Sequence, residues 1–590
     1  MVPVRTFDFL DYQIHARPLK NSISTKVDGV WESYSSQEFE DTGNTIARAF
    51  LALGIKKGEN IALISTTNRS EWNILDYAIS CIGAVSVPLY PNITDGEYEY
   101  ILNHSQSTYC FVSDRVLYQK IRSISSKVKG LKNIYTFDKV EDVNHWKELL
   151  ELGESSKHQS QLENRKAEVR SSDLATIIYT SGTTGVPKGV MLSHNNLVSN
   201  VLSSSKRIPF ERGDGRALSF LPVCHSFERI IHYIYIFNSV EIYFAESLER
   251  ISSNLKEVQP YIITAVPRLI EKVFNRIIAK GKSLKGIKKV LFFWAVDLGL
   301  KYQPYNQNGK WYEFKLRIAR KLIFSKWREG LGGNLHYMIS GSAALQPRLA
   351  KIFTAAGMTV MEGYGLTETS PVVSVNDMRD GGLRFGTVGK PISGVQVKIA
   401  DDGEILVHGP NIMQGYYRQP KLTQQAIING DFYTGDIGEL DKDGFLKITD
   451  RKKEIFKNSA GKYISPQAVE NILKQSLFIE HLMVIGANQK LPSALINIDV
   501  EYAKNWLKNH QIQSPTKRKD LIVMPELKNA IKKDIVQLNS QLNDWEQVTK
   551  FEIVDTEWTI ESGHLTPTLK LKRSFVESTH RDQIEKLISI

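Results

Sequence analysis

The chain has 590 residues, 42% hydrophobic and 24% charged, a globular balance that excludes collagen-like sequence, coiled coil and wholesale disorder. That length calls for two or more domains, since one compact domain holds roughly 100 to 200 residues. The formal net charge is +11, and the three cysteines (Cys81, Cys110 and Cys224) stand far apart without a CxxC pair, which excludes a disulfide framework and a cysteine zinc site and suits a reducing compartment.

In chain order, the first twenty residues carry Asp8, Asp11 and Arg17 among apolar positions, so no secretory leader is expected and the protein is placed in the cytoplasm. Residues 40 to 175 alternate helical and strand patterns: a helix through Ile46, Phe50 and Leu53 that ends at Gly54, then strands at Asn60–Ser65, Ala84–Tyr90 and Ser107–Ser113. Strands separated by helix-length segments predict an α/β architecture with parallel sheets. The polar segment Lys157 to Lys166 reads as a surface loop.

Between Lys280 and Arg328 lie thirteen basic residues, set against only Asp297, Glu313 and the following Glu329, a net +10. Such a stretch could meet phosphates on a bilayer or a nucleic acid, or be a solvated insertion. No zinc-finger spacing or RNP-type strand accompanies it, so no nucleic-acid partner is expected. Its longest apolar run, Val290 to Leu300, has eleven residues including Asp297, against about 20 needed to span a bilayer. Trp311, Phe314, Ile318 and Leu322 form one helical stripe, but Leu316, Ile323 and Trp327 fall opposite, so no clean interfacial helix is predicted; peripheral, salt-sensitive membrane contact through 280–328 is expected.

Near residue 386 the pattern changes to period-2 alternation at Val395, Val397 and Ile399, a turn at Asp401 to Gly403 and a second strand, which predicts a small antiparallel β subdomain over about 386–450. From 451 onward, short helices such as Pro466–Gln475 and strands such as His481–Ala487 predict a compact α+β domain. The expected organisation is thus a large domain over 1–450 and a smaller one over 451–590.

Ile177 to His194 (IIYTSGTTGVPKGVMLSH) follows an apolar strand and gathers glycines, hydroxyls and cations. Gly182, Gly185 and Gly189 let backbone N–H groups approach oxyanions, Ser181, Thr183 and Thr184 can donate or reach a metal, and Lys188 adds a point charge. The GxxxxGK[ST] spacing is absent, so this is not a Walker loop. Six further motifs follow in order: Leu221–Arg229 (LPVCHSFER), Met338–Leu345 (MISGSAAL), Glu362–Ser370 (EGYGLTETS), Asp431–Leu440 (DFYTGDIGEL), Thr449–Pro466 (TDRKKEIFKNSAGKYISP) and Gly563–Arg573 (GHLTPTLKLKR).

Together these seven motifs, spread over nearly the whole chain, resemble those of the adenylate-forming superfamily of acyl-CoA synthetases, luciferases and peptide-synthetase adenylation domains. CHSFER, KNSAGKYISP and LTPTLKLKR are most similar to long-chain fatty acyl-CoA synthetases. The resemblance implies an enzyme that activates a fatty acid with ATP and Mg²⁺ and passes the acyl group to CoA, built as a large α/β domain with a β subdomain plus a mobile α+β C-terminal domain. It also implies nucleotide contacts at Thr180 to Gly185, Lys188, Gly341, Ser342, Ala343, Glu362, Gly363, Tyr364, Gly365, Thr367, Asp436 and Arg451.

Within that set Tyr364 would stack on the purine, Asp436 would accept the ribose hydroxyls, and Thr184 and Glu368 would hold Mg²⁺. Lys570 would be the catalytic lysine, His225 would lie near the acyl carboxylate, Lys453 would be the hinge, and Lys457, Gly461 and Lys462 would border the CoA passage. Read without the resemblance, Glu368 and Tyr364 fit a Gly-rich turn, Asp436 a turn, His225 a core position and Gly461 a left-handed turn. A carrier-protein phosphopantetheine is the alternative acyl acceptor. A non-catalytic fatty acid or nucleotide binder is the alternative of another class. The absence of a GxSxG elbow argues against a serine hydrolase.

Overall fold

The five-residue strands Asn60–Ile64 and Val85–Leu89 are apolar along most of their length and buried throughout, which is the pattern of a sheet covered on both faces. They lie parallel inside a seven-stranded sheet completed by Tyr109–Val112, Asn133–Thr136, Leu174–Ser181, Pro187–Ser193 and Gly415–Tyr416. A second sheet, of nine strands among the described residues, is centred on the parallel strands Arg216–Ser219, Ile262–Ala265, Tyr337–Ser340 and Thr359–Gly365. The computed structural model describes residues 2–154, 158–181 (without the side chain of Ser181), 186–208, 215–379, 381–566 and 569–589.

A third, antiparallel sheet runs from Gln396–Ile399 through Glu404–His408 and Asp431–Leu440 to Leu446–Arg451. Beyond it, Ile479–Ile485, Ser493–Ile498 and Lys550–Ile553 form a three-stranded sheet covered by the helices Pro466–Leu473 and Pro525–Asn539. This sheet has its own core. Ile464, Val469, Leu482, Val484 and Ile496 are buried together in it.

One expectation is corrected. The segment containing Lys157 to Lys166 is not a loop over its described part: Gln159–Glu168 is a helix packed on Ser36–Ala52 and Ser70–Cys81. Leu162 is its one buried residue, so no apolar stripe could be read. The two-sided apolar pattern of the basic insertion also resolves: Leu316, Phe324 and Trp327 are buried in the protein core and Ile323 packs against them, while Trp311, Phe314, Ile318 and Leu322 are exposed. One face serves the core and the other faces outward. Among the described residues, no helix is long and apolar enough to cross a membrane.

The helix Ser226–Phe237 fixes how the two large sheets meet. It is buried along nearly its whole length, so its charged residues must be paired. Glu228 accepts from the hydroxyls of Ser219 and Thr264, both at 2.6 Å and both on the nine-stranded sheet. The next residue, Arg229, donates to Thr176 and Ser86 of the seven-stranded sheet, at 2.7 Å each, and to Asp76 at 2.5 Å. Tyr233 completes the group by donating to Asp76.

Removing one member of a buried ion pair strands the other. Arg229→Ala is expected to lower stability by about 3–5 kcal/mol in chemical denaturation, with partial recovery when Asp76→Asn is added.

Candidate functional site

The same buried helix presents its N-terminus to a cleft. His225 is its N-cap, with Nδ1 accepting from the N–H of Phe227 at 3.2 Å. Burial, and after it the charge of Lys570, pushes His225 down to about 4, so the ring is neutral at pH 7 and its proton sits on Nε2. Phe227 lies on Gly341, where a Cβ would stand 3.2 Å from the ring. Ser226 Oγ meets Thr367 Oγ1 at 3.2 Å. Three motifs distant in sequence converge at this helix end.

Around Gly341 the chain turns sharply, with Ser342 at φ 72°. Ala343, the next residue, is exposed. The backbone N–H of Leu345 donates to Glu362, yet burial outweighs it and pushes that carboxyl up to about 8. Glu362 is thereby largely protonated at neutral pH. Gly363 and Gly365 end the strand Thr359–Gly365, pairing with Val375 and Val372.

Tyr364, between those glycines, donates to Asp436 Oδ2 at 2.6 Å. Arg451 Nε reaches the other oxygen of Asp436 at 3.2 Å. Asp436 and Arg451 are register partners on neighbouring strands, so the sheet itself sets their approach. Lys570 adds the other pole. Its ammonium is brought down to about 8 by burial and then by repulsion from Arg451, against the pull of Asp436 and Glu454. Its loop closes on itself: Lys570 N–H donates to Thr566 Oγ1 at 3.0 Å, and Thr566 N–H to the Lys570 carbonyl at 2.8 Å.

Glu368 lies in the middle of the short helical turn Thr367–Thr369. Its Oε1 accepts from Tyr416 OH at 3.0 Å, and the Tyr416 ring lies 5.4 Å under Lys188 Nζ. Burial raises the Glu368 carboxyl, with Tyr416, Arg451 and Lys188 opposing. A buried carboxylate held this way suits a hard cation that takes one protein oxygen and completes its shell with phosphate and water, which is how Mg²⁺ binds. Among the described residues there is no cluster of three His, Cys, Asp or Glu side chains that would form an all-protein metal cage.

The strands Leu174–Ser181 and Pro187–Ser193 pair antiparallel up to Thr180–Lys188 and Ser181–Pro187. Gly182, Thr183, Thr184, Gly185 and the side chain of Ser181 lie outside the described residues. Lys453 is exposed in the turn after Arg451. Lys457, Gly461 and Lys462 belong to a hairpin of the C-terminal part, where Lys457 caps the Tyr463 ring at 4.7 Å and Lys462 the Trp545 ring at 5.5 Å. Gly461 has φ +75° and open space around its Cβ position, so the turn conformation by itself requires glycine there.

Sequence reading missed Tyr416. Its only signal is the GYY triplet at Gly415–Tyr417, which reads as an ordinary edge strand.

A family model described as AMP-binding enzyme matches residues 11–417, and one described as AMP-binding enzyme C-terminal domain matches 454–589. The chain is 34% identical over 566 residues to the long-chain-fatty-acid–CoA ligase FadD15 of Mycobacterium bovis, covering 95% of this chain and 93% of that one. It is 32% identical to the peroxisomal long chain acyl-CoA synthetase 6 of Arabidopsis thaliana, covering 96% and 82%. Among solved structures, the anthranilate CoA ligase AuaEII in complex with anthranoyl-AMP superposes with a TM-score of 0.73 at 19% identity, covering 98% of each chain. The adenylation domain of a carboxylate reductase from Mycobacterium chelonae gives 0.75 at 20%, covering 99% and 91%. At those identities the structural likeness speaks for the fold.

Tyr416→Phe deletes a hydroxyl that orients Glu368. Calorimetric titration with ATP and Mg²⁺ is expected to show affinity lowered about tenfold, the value of a hydrogen bond to a charged group.

Proposed function

The chain belongs to the AMP-binding enzyme family, and on that premise we propose that it is a long-chain fatty acid–CoA ligase, forming acyl-AMP and pyrophosphate from fatty acid and ATP and then passing the acyl group to CoA. The observation that carries this reading is the convergence of Tyr364, Asp436 and Arg451 from the body with Lys570 from the C-terminal domain. The relatives named as long-chain acyl-CoA ligases, matched over nearly the full chain, support the fatty acid as substrate.

In this reading the purine stacks on Tyr364 and the ribose hydroxyls hydrogen-bond to Asp436. The fatty acid carboxylate attacks the α-phosphorus; a new P–O bond forms as the bond to the β-phosphate bridge breaks, and pyrophosphate leaves. No protein nucleophile takes part. Lys570 meets the negative charge that builds on the phosphoryl oxygens, and a preorganised donor of this kind is worth roughly 10²- to 10³-fold in rate. Thr184 and Glu368 would hold Mg²⁺, which when bound neutralises phosphate charge. Neutral His225 lies on the acyl side, where an uncharged ring does not compete with Lys570 for the carboxylate.

The second half-reaction brings the CoA thiol to the acyl carbon and expels AMP. For it the C-terminal domain turns about Lys453 and brings Lys457, Gly461 and Lys462 to the passage. The three buried, free cysteines suit a reducing compartment.

Lys570→Ala is expected to abolish pyrophosphate release while leaving thioester formation from supplied acyl-adenylate largely intact; equal loss of both refutes its role. The ammonium is charged below pH 8 and is lost as pH rises through that value. kcat/KM for pyrophosphate release therefore falls above about pH 8, and Lys570→Arg moves that limb beyond roughly pH 10.

The exposed face of the insertion supports contact with a bilayer. Ile287 (74% exposed), Val290 and Leu291 on one helix, and Trp311 (69%), Phe314, Ile318 and Leu322 on the next, stand among Lys285, Lys288, Lys289, Lys310 and Lys321. Co-sedimentation with anionic vesicles is expected at low salt, to weaken at high salt, and to fall in Trp311→Ala/Phe314→Ala. No binding at low salt removes the claim.

A further inference from the structure

The helix Pro267–Ser283 belongs to the large domain, yet three of its cations reach the C-terminal one. Lys272 Nζ lies 2.7 Å and Arg268 Nη2 3.3 Å from the same oxygen of Glu480. Lys282, near the other end, donates to Tyr502 OH at 3.1 Å and lies over its ring. At about 100° per residue these three positions fall within one arc of the helix. Leu477, three residues before Glu480, packs against the apolar cluster that includes Ile270, Phe274 and Ile278.

Glu480 and the loop of Lys570 ride on one strand. In Ile479–Ile485, Leu482 and Val484 point into the main core of the C-terminal domain. Met483 and Ile485 point into a second cluster with Leu565, against which Leu569 and Leu571 pack, and these residues frame Lys570. Arg573 binds the same strand, donating to the Val484 carbonyl and pairing with Glu470, each at 2.5 Å. A rigid movement that withdraws Lys570 must therefore pull Glu480 away from Arg268 and Lys272.

On the other side, Arg268 also pairs with Glu271 at 3.2 Å. Glu271 accepts from Gln346 at 3.3 Å, and buried Gln346 closes the segment that begins at Gly341. Arg268 thus sits between the domain contact and the turn at Ser342. Two cations and two carboxylates balance within the group, and Lys272 is half-exposed, so opening it leaves no stranded buried charge.

We propose that Glu480, gripped by Arg268 and Lys272, is a latch that holds the C-terminal domain where Lys570 faces the nucleotide residues, and that its release belongs to the passage from adenylation to thioester formation. This rests on the two-step activity proposed above. Glu480 is a positioning residue, acting through the placement of Lys570.

The two half-reactions are measured apart in the full chain: pyrophosphate release from palmitate and MgATP without CoA, and thioester formation from synthetic palmitoyl-adenylate with CoA. Glu480→Gln is expected to slow the first roughly three- to tenfold, as loss of a partly buried pair allows, and to leave the second unchanged or faster. Lys272→Ala, which leaves Arg268 on Glu480, is expected to slow the first less than Glu480→Gln does. Spin labels at cysteines introduced in place of exposed Lys129 and Lys508 report the domain arrangement without substrate, and Glu480→Gln broadens their distance distribution. Equal slowing of both half-reactions, no slowing of either, or an unaltered distance distribution overturns the latch. If the unaltered protein forms no acyl-adenylate, the proposed activity falls instead, while the distance measurement still judges the latch.

Discussion

Two neighbouring side chains of opposite charge, buried on one helix, hold the rest in place. Burying an unpaired carboxylate or guanidinium costs several kcal/mol, so Glu228 and Arg229 are stable only while each finds its partners. Those partners stand on different sheets, Ser219 and Thr264 on one and Thr176 and Ser86 on the other. The requirement fixes the angle and depth at which the helix lies between them. The cleft residues inherit that placement through His225, Ser226 and Phe227 at its N-terminus.

The cleft follows the same logic with a different outcome. Arg451 pairs with Asp436, and Lys570, near enough to feel Arg451, Asp436 and Glu454, is brought down to about 8 chiefly by burial. Glu368 stands apart, its Oε1 held by the Tyr416 hydroxyl.

Much of this could be read from sequence, where local chemistry dictates local structure. The apolar runs at Asn60 and Val85 gave strands because every side chain there must be buried. The seven motifs pointed to this region through their resemblance to a family; taken singly, Tyr364, Glu368 and Asp436 read as ordinary turn residues. What stayed hidden depends on partners far away in sequence. Tyr416 lies 48 residues from Glu368, and Glu480 more than two hundred from Arg268. The helix after Gln159 has one anchor and no stripe, so its burial was unreadable. In the basic insertion, two apolar faces on one helix become intelligible only once the core claims Leu316 and Trp327.

The hydrogen bond from Tyr364 to Asp436, at 2.6 Å, has a consequence for selectivity. A pocket that already matches its own donors to its own acceptors sets a threshold for any visitor. On the proposed reading of Asp436 as the ribose acceptor, a sugar must offer it bonds that compete with the Tyr364 hydroxyl, and a deoxygenated sugar brings fewer of them. Such a pocket discriminates at the moment of entry, through the contacts it gives up.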